Sequence, residues 1–133
     1  MLSSSSSHHL HAMAGMLIAI RELAQFGGEY AAQTITNAKA LGQALNDERV
    51  NVEAKEFGFP ESHQLAIYVT NVGIAKELAR SLSDKNHIIT NYNMLPDDKH
   101  AKNPTGFRIG VQEMTRYGMK EDEMGELADL MKA

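Results

Sequence analysis

Apolar residues recur at three- and four-residue steps through the first third of the chain. Met13, Met16, Leu17, Ile20, Leu23 and Ala24 form one such series, and Ala31, Ile35, Ala38, Leu41 and Leu45 form a second. This spacing predicts helix with one buried stripe. Gly27 and Gly28 fall between the two series and weaken a helix locally, so the segment reads as two helices or one bent helix. Asn46 and Asp47 close it. Val50 to Glu53, β-branched at alternate positions, and Leu65 to Val69, a compact apolar run of strand length, then read as strands, joined by a loop containing Gly58 and Pro60. A helix follows from Ile74 to Leu82, opened by Asn71 or Gly73, and His87 to Thr90 reads as a third strand. Asn91 to Gly106 lacks periodicity and contains Pro96 and Pro104, which predicts a long loop of the kind that often carries function. Phe107 to Val111 reads as a strand, a turn passes through Gly118, and Glu121 to Lys132 reads as a helix burying Met124, Leu127, Ala128 and Met131.

The expected fold is therefore of the α/β kind, in its α+β form. A small, largely antiparallel sheet is covered by helices on one face and preceded by a long helix or helix pair. Residues 1–8, with serine at positions 3 to 7, are expected to form a loose arm, and 9–133 a single domain.

Charge removes some partners. A net charge of -4 without a cluster of Lys and Arg gives no footprint for nucleic acid or an anionic membrane. The apolar run at Met16 to Ile20 ends at Arg21 and is too short to span a bilayer. The sequence has no cysteine, which removes disulfides and thiolate metal sites and fits a cytoplasmic location.

Among chemical candidates, His8, His9 and His11 have spacing that could converge on a metal. No carboxylate is near them in sequence, and no metal site is expected. Ser62 and His63 are adjacent but lack an acidic orienter or a nucleophile elbow. The phosphate-binding loops G-x-x-x-x-G-K-[ST] and G-x-G-x-x-G do not occur. Arg108 stands between Phe107 and Ile109 in the strand, where a fully buried charge would need a partner or a ligand to offset desolvation. It is either a solvent-face arginine or, near a cleft, a two-pronged anchor for a carboxylate. Asn91, Tyr92 and Asn93 either shape the loop before Pro96 or hydrogen-bond a heterocycle.

Arg108 to Met119 reads R-I-G-V-Q-E-M-T-R-Y-G-M. In the same chain order stand His8-His9, Phe26-Gly-x-x-Tyr30-Ala, Asn37-Ala-Lys-Ala-Leu41, Glu61-Ser-His-Gln64, Asn91-x-Asn93-x-Leu95-Pro96 and Asn103-Pro-x-Gly106. This ordered set resembles the C-terminal small domain of archaeal-type serine hydroxymethyltransferases, from about Ser7 to Lys132. The resemblance implies a fold-type I pyridoxal-phosphate (PLP) enzyme that interconverts serine and glycine while passing one carbon to a tetrahydropterin. By the same resemblance Arg108 binds the substrate carboxylate, Asn93 lies near the pterin, and Ser7 and His8 approach the PLP phosphate of a neighbouring subunit. The large PLP-binding domain would be the partner, in a homo-oligomer, and no residue of this chain is expected to be catalytic. Val111 and Tyr92 stand where that family usually has Thr and Lys. Two other readings are a transaldolase of the same type acting on a different aldehyde, and a non-enzymatic binding module that retained the fold.

Overall fold

In a computed structural model, residues 9–70, 73–100 and 102–132 are described. Helix α1 runs without a break from Leu10 to Asp47, so Gly27 and Gly28 lower its propensity but do not split it. Strands β1 (Asn51–Val52) and β2 (Gln64–Tyr68) follow, linked through a 3-10 turn at Lys55–Phe57. Then come α2 (Ala75–Asn86), β3 (Asn91–Asn93), β4 (Gly106–Gly110), α3 (Gln112–Arg116) and α4 (Glu121–Lys132). The four strands form one wholly antiparallel sheet in the order β1-β2-β4-β3.

Contacts divide the chain into two units, residues 1–31 and 32–133. In the second unit, Leu65, Ile67 and Phe107 from the sheet meet Leu41 and Leu45 of α1, Ala75 and Ala79 of α2, and Met124 and Ala128 of α4. Every one of these is buried, so the helices lie on one face of the sheet and the core lies between the two layers.

A buried polar network adds to that core. Asn37 is fully buried on α1, and its Nδ2 donates to Thr115 Oγ1 (2.9 Å) and to the Met119 carbonyl (2.8 Å). Its Oδ1 accepts from Gln33 Nε2 at 2.9 Å, and Thr115 Oγ1 in turn donates to the Val111 carbonyl at 2.8 Å. The connection after β4 is thereby tied to α1.

The third strand begins four residues later than the sequence predicts. His87 takes a left-handed conformation and its N–H caps α2 at the Leu82 carbonyl. Ile89 is 90% exposed, so the apolar residues at 88 and 89 form a connector. Pairing begins only where Asn91, Tyr92 and Asn93 meet Arg108, Phe107 and Gly106. Partner geometry here outweighs β-propensity. Helix α2 is capped by Ile74 without a side-chain bond; the expected cap Asn71 lies outside the described residues, and Gly73 precedes the cap position. Helix α3 occupies what the sequence read as turn.

In the first unit, Met13, Met16, Leu17, Ile20, Leu23 and Phe26 are each more than half exposed. A stretch with so much uncovered apolar surface seeks a partner. The isolated chain is therefore expected to self-associate, with light scattering showing a mass that rises with concentration. A monodisperse monomer over a wide concentration range would contradict this.

Candidate functional site

The sheet face away from the helices is polar. Residues opposite one another in antiparallel strands share a face. The pairs Asn51 with Tyr68, Gln64 with Gly110, Ala66 with Arg108, Asn91 with Arg108 and Asn93 with Gly106 therefore set the open-face residues. Arg108 is at the centre of this face, exposed, on the middle of β4. Its neighbours along the strand, Phe107 and Ile109, point to the core.

Arg108 stands in a notch made by two glycines. A Cβ on Gly106 would come within 2.3 Å of the Leu95 side chain, and one on Gly110 within 2.3 Å of Gln112 Oε1. Leu95 and Gln112 thus lie against the strand at the two glycines that flank Arg108. No ion pair involving Arg108 occurs among the described residues. An exposed guanidinium without a carboxylate partner retains its planar fork of donors for an incoming anion.

Asn91 is directly across from Arg108, and Asn93 lies on the diagonal, paired with Gly106. Diagonal neighbours of this kind are about 7 Å apart, so one small molecule can touch both. Asn93 is half-buried, and its Nδ2 makes only a long 3.4 Å contact with the Asn91 carbonyl.

The loop after β3 is pinned by Asp98. Its Oδ2 accepts from the Leu95 N–H (3.0 Å) and the Thr105 N–H (2.9 Å), and its Oδ1 accepts from Thr105 Oγ1 (2.5 Å). These bonds, the Thr105 hydroxyl first and then the Leu95 and Thr105 amides, hold the Asp98 carboxyl below the usual carboxylate range. A depressed folded-state pKa gives stability that is present above the unfolded value and lost as pH falls through the folded one. The Leu95 and Thr105 amide resonances are accordingly expected to titrate with a midpoint below that of an ordinary aspartate. A midpoint at or above the ordinary value would contradict the staple.

Tyr68 adds a second tie. Its hydroxyl donates to Asp97 Oδ2 at 3.4 Å and also meets Glu53. Desolvation first, then the Glu53 hydrogen bond and the charges of Glu53 and Asp97, push the phenol up to about 12. Tyr68 therefore remains a protonated donor at neutral pH.

The open face brings Arg108 and Asn93 together. Ser7 and His8 lie outside the described residues. His9 and His11 pack edge to face, with ring centroids 5.7 Å apart, and no three potential ligands converge among the described residues. Ser62 Oγ accepts the Gln64 N–H at 3.2 Å, an ordinary turn contact. Sequence reasoning missed Asp98 and Tyr68. Their partners in the site are seven and 29 residues away. Among the described residues, no helix is long and apolar enough to cross a membrane.

Comparisons with known proteins converge. The family model for serine hydroxymethyltransferase matches residues 3–131. The chain is 48% identical to the serine hydroxymethyltransferase of Methanobrevibacter smithii and 46% identical to that of Saccharolobus islandicus, over 96% of its own length in each case. It spans 30% of the length of those relatives. It also resembles the crystal structure of L-threonine transaldolase from Pseudomonas fluorescens in its internal aldimine state. That similarity has a TM-score of 0.75 and 33% identity, covering 87% of this chain and 27% of the other.

Proposed function

The chain belongs to the serine hydroxymethyltransferase family, and from that premise we infer that it is the small domain of a larger enzyme interconverting serine and glycine. The observation that carries this reading is Arg108, exposed and without an ion-pair partner among the described residues, between two glycines on an open polar sheet face. In the proposed role its guanidinium fixes the amino-acid carboxylate by two parallel hydrogen bonds. Asn93, one diagonal step away, hydrogen-bonds the tetrahydropterin. Asp98 and Leu95 hold the loop that sets the spacing between the two.

PLP, when bound, supplies the electron sink for bonds at the amino-acid α-carbon. The residues of this chain do not by themselves fit it: the open-face positions of the four strands and Glu53 include no lysine to anchor the aldehyde. The anchor, and the larger PLP-binding domain that holds it, are assigned to the remaining 70% or so of the relatives' length. Binding and orienting substrate are the steps left to this chain.

Mixing the isolated chain with stoichiometric PLP is therefore expected to yield no saturable lysine adduct. A single lysine trapped specifically by borohydride would overturn the division of labour. The likeness to the transaldolase favours a second reading, in which the same arginine grips an amino acid that reacts with another aldehyde. Comparing tetrahydropterin with aldehyde acceptors in the assembled enzyme separates the two.

A further inference from the structure

A cavity is lined by residues of α1, α2, α4 and the sheet, Asn51 and Tyr68 included, but by neither Arg108 nor Asn93. Its volume is about 460 Å³, within the range of small-molecule sites. Leu45, Ile67, Leu82, Phe107 and Met131 are among its apolar wall residues, drawn from α1, the sheet, α2 and α4. Three of them, Leu45, Ile67 and Phe107, are at most 3% exposed, so the cavity reaches the rigid core of the domain.

Its charged lining is cationic. Lys132 is already paired with Glu48, which leaves Arg49 and Lys85, both exposed and neither with an ion-pair partner among the described residues. The Arg49 backbone is held in place. It follows the end of α1 with its N–H bonded to the Asn46 carbonyl (2.9 Å), while the Val50 N–H bonds to the Leu45 carbonyl (2.9 Å). This helix-terminating pattern puts Arg49 at φ 65°, a conformation in which glycine is the unstrained choice. The helix-ending backbone places the base of a cationic side chain beside an apolar chamber.

We propose that this cavity, between α2, α4 and the end of α1, binds an amphipathic monocarboxylate, with its apolar chain against Leu45, Leu82, Phe107 and Met131 and its carboxylate at Arg49 and Lys85. The apolar walls favour a chain of about eight carbons over a small polar anion. The two cations select an anionic head over a neutral or positive one. This site shares neither Arg108 nor Asn93 with the reaction assigned to the open face.

The test titrates octanoate, octanol and octylammonium separately into the 133-residue chain, following amide and methyl resonances. Octanoate is expected to bind saturably, with shifts centred on Leu45, Leu82, Phe107 and Met131, and about tenfold more tightly than octanol. Octylammonium is expected to bind more weakly than both. The double variant Arg49→Glu/Lys85→Glu changes only exposed side chains and should keep the fold, lower octanoate affinity about tenfold and leave octanol unaffected. Equal affinity for octanoate and octanol, an unchanged octanoate affinity in the double variant, shifts confined to Met13–Phe26, or no saturable binding would each overturn the proposal.

Discussion

Arg108→Lys in the assembled enzyme is expected to lower kcat/KM for serine cleavage by roughly 30- to 1,000-fold. Lysine keeps the positive charge but loses the planar pair of donors that meets both carboxylate oxygens. In the proposed small-domain role the site is shielded from water, so water would not replace the lost bond. A charge-assisted pair in such a site is worth about 2 to 4 kcal/mol, which sets the range. Cofactor binding should survive, because the assigned contact is with substrate. Arg116, which makes its own contacts within the chain, serves as the control. A comparable loss at Arg116 would mean that the effect follows from disturbing the segment after β4, and unchanged kinetics at Arg108 would return it to a solvent-face arginine.

Asn37→Leu should be the most damaging change of similar volume in the core, lowering stability by about 2 to 4 kcal/mol. The Asn37 side chain is fully buried and makes three hydrogen bonds at once. Leucine fills the space but removes all three bonds, orphaning the part-buried Met119 carbonyl while Gln33 keeps Glu121, and a lost bond with an unsatisfied partner costs about 1 to 3 kcal/mol. At roughly 4 °C per kcal/mol for a domain of this size, the melting temperature should fall by about 10 °C. Thr36→Ala, one position away on an exposed part of α1, removes only a bond to the Ala32 carbonyl and should change little. Urea and thermal unfolding of the two variants measure the difference. Equal stability of Asn37→Leu and the unsubstituted chain would mean that the network is not what secures the segment after β4.

The elements legible in the sequence are those with their own period. Helix α4 begins and ends where its apolar spacing predicts, while the structure sets Arg108 apart from Phe107 and Ile109, which pack toward the core. Strand β3 was not legible, because Asn91-Tyr92-Asn93 has little strand character of its own and takes its geometry from β4. The continuity of α1 through Gly27 and Gly28 is likewise settled by the structure and not by propensity.

At the site, the family motif pointed to Arg108 and Asn93, while register alone shows them on one face. The Asp98 staple is local in sequence, yet nothing in Asp97-Asp98 tells which aspartate turns inward to Leu95 and Thr105 and which meets Tyr68. The Asn37 network is further from reach, since Thr115 and Met119 are 78 and 82 residues away. Hydrogen-bond partners at such separations follow from the packing of α1 on the segment after β4, which hydrophobic spacing does not encode.

The most direct test of the small-domain assignment replaces the matching segment of the Methanobrevibacter smithii relative with this chain and assays serine cleavage in the presence of tetrahydropterin. The account predicts a PLP-loaded chimera that turns over serine and loses most of that activity on Arg108→Lys. A folded, PLP-loaded chimera that binds no amino acid and releases no glycine, beside a fully active parent, would contradict it.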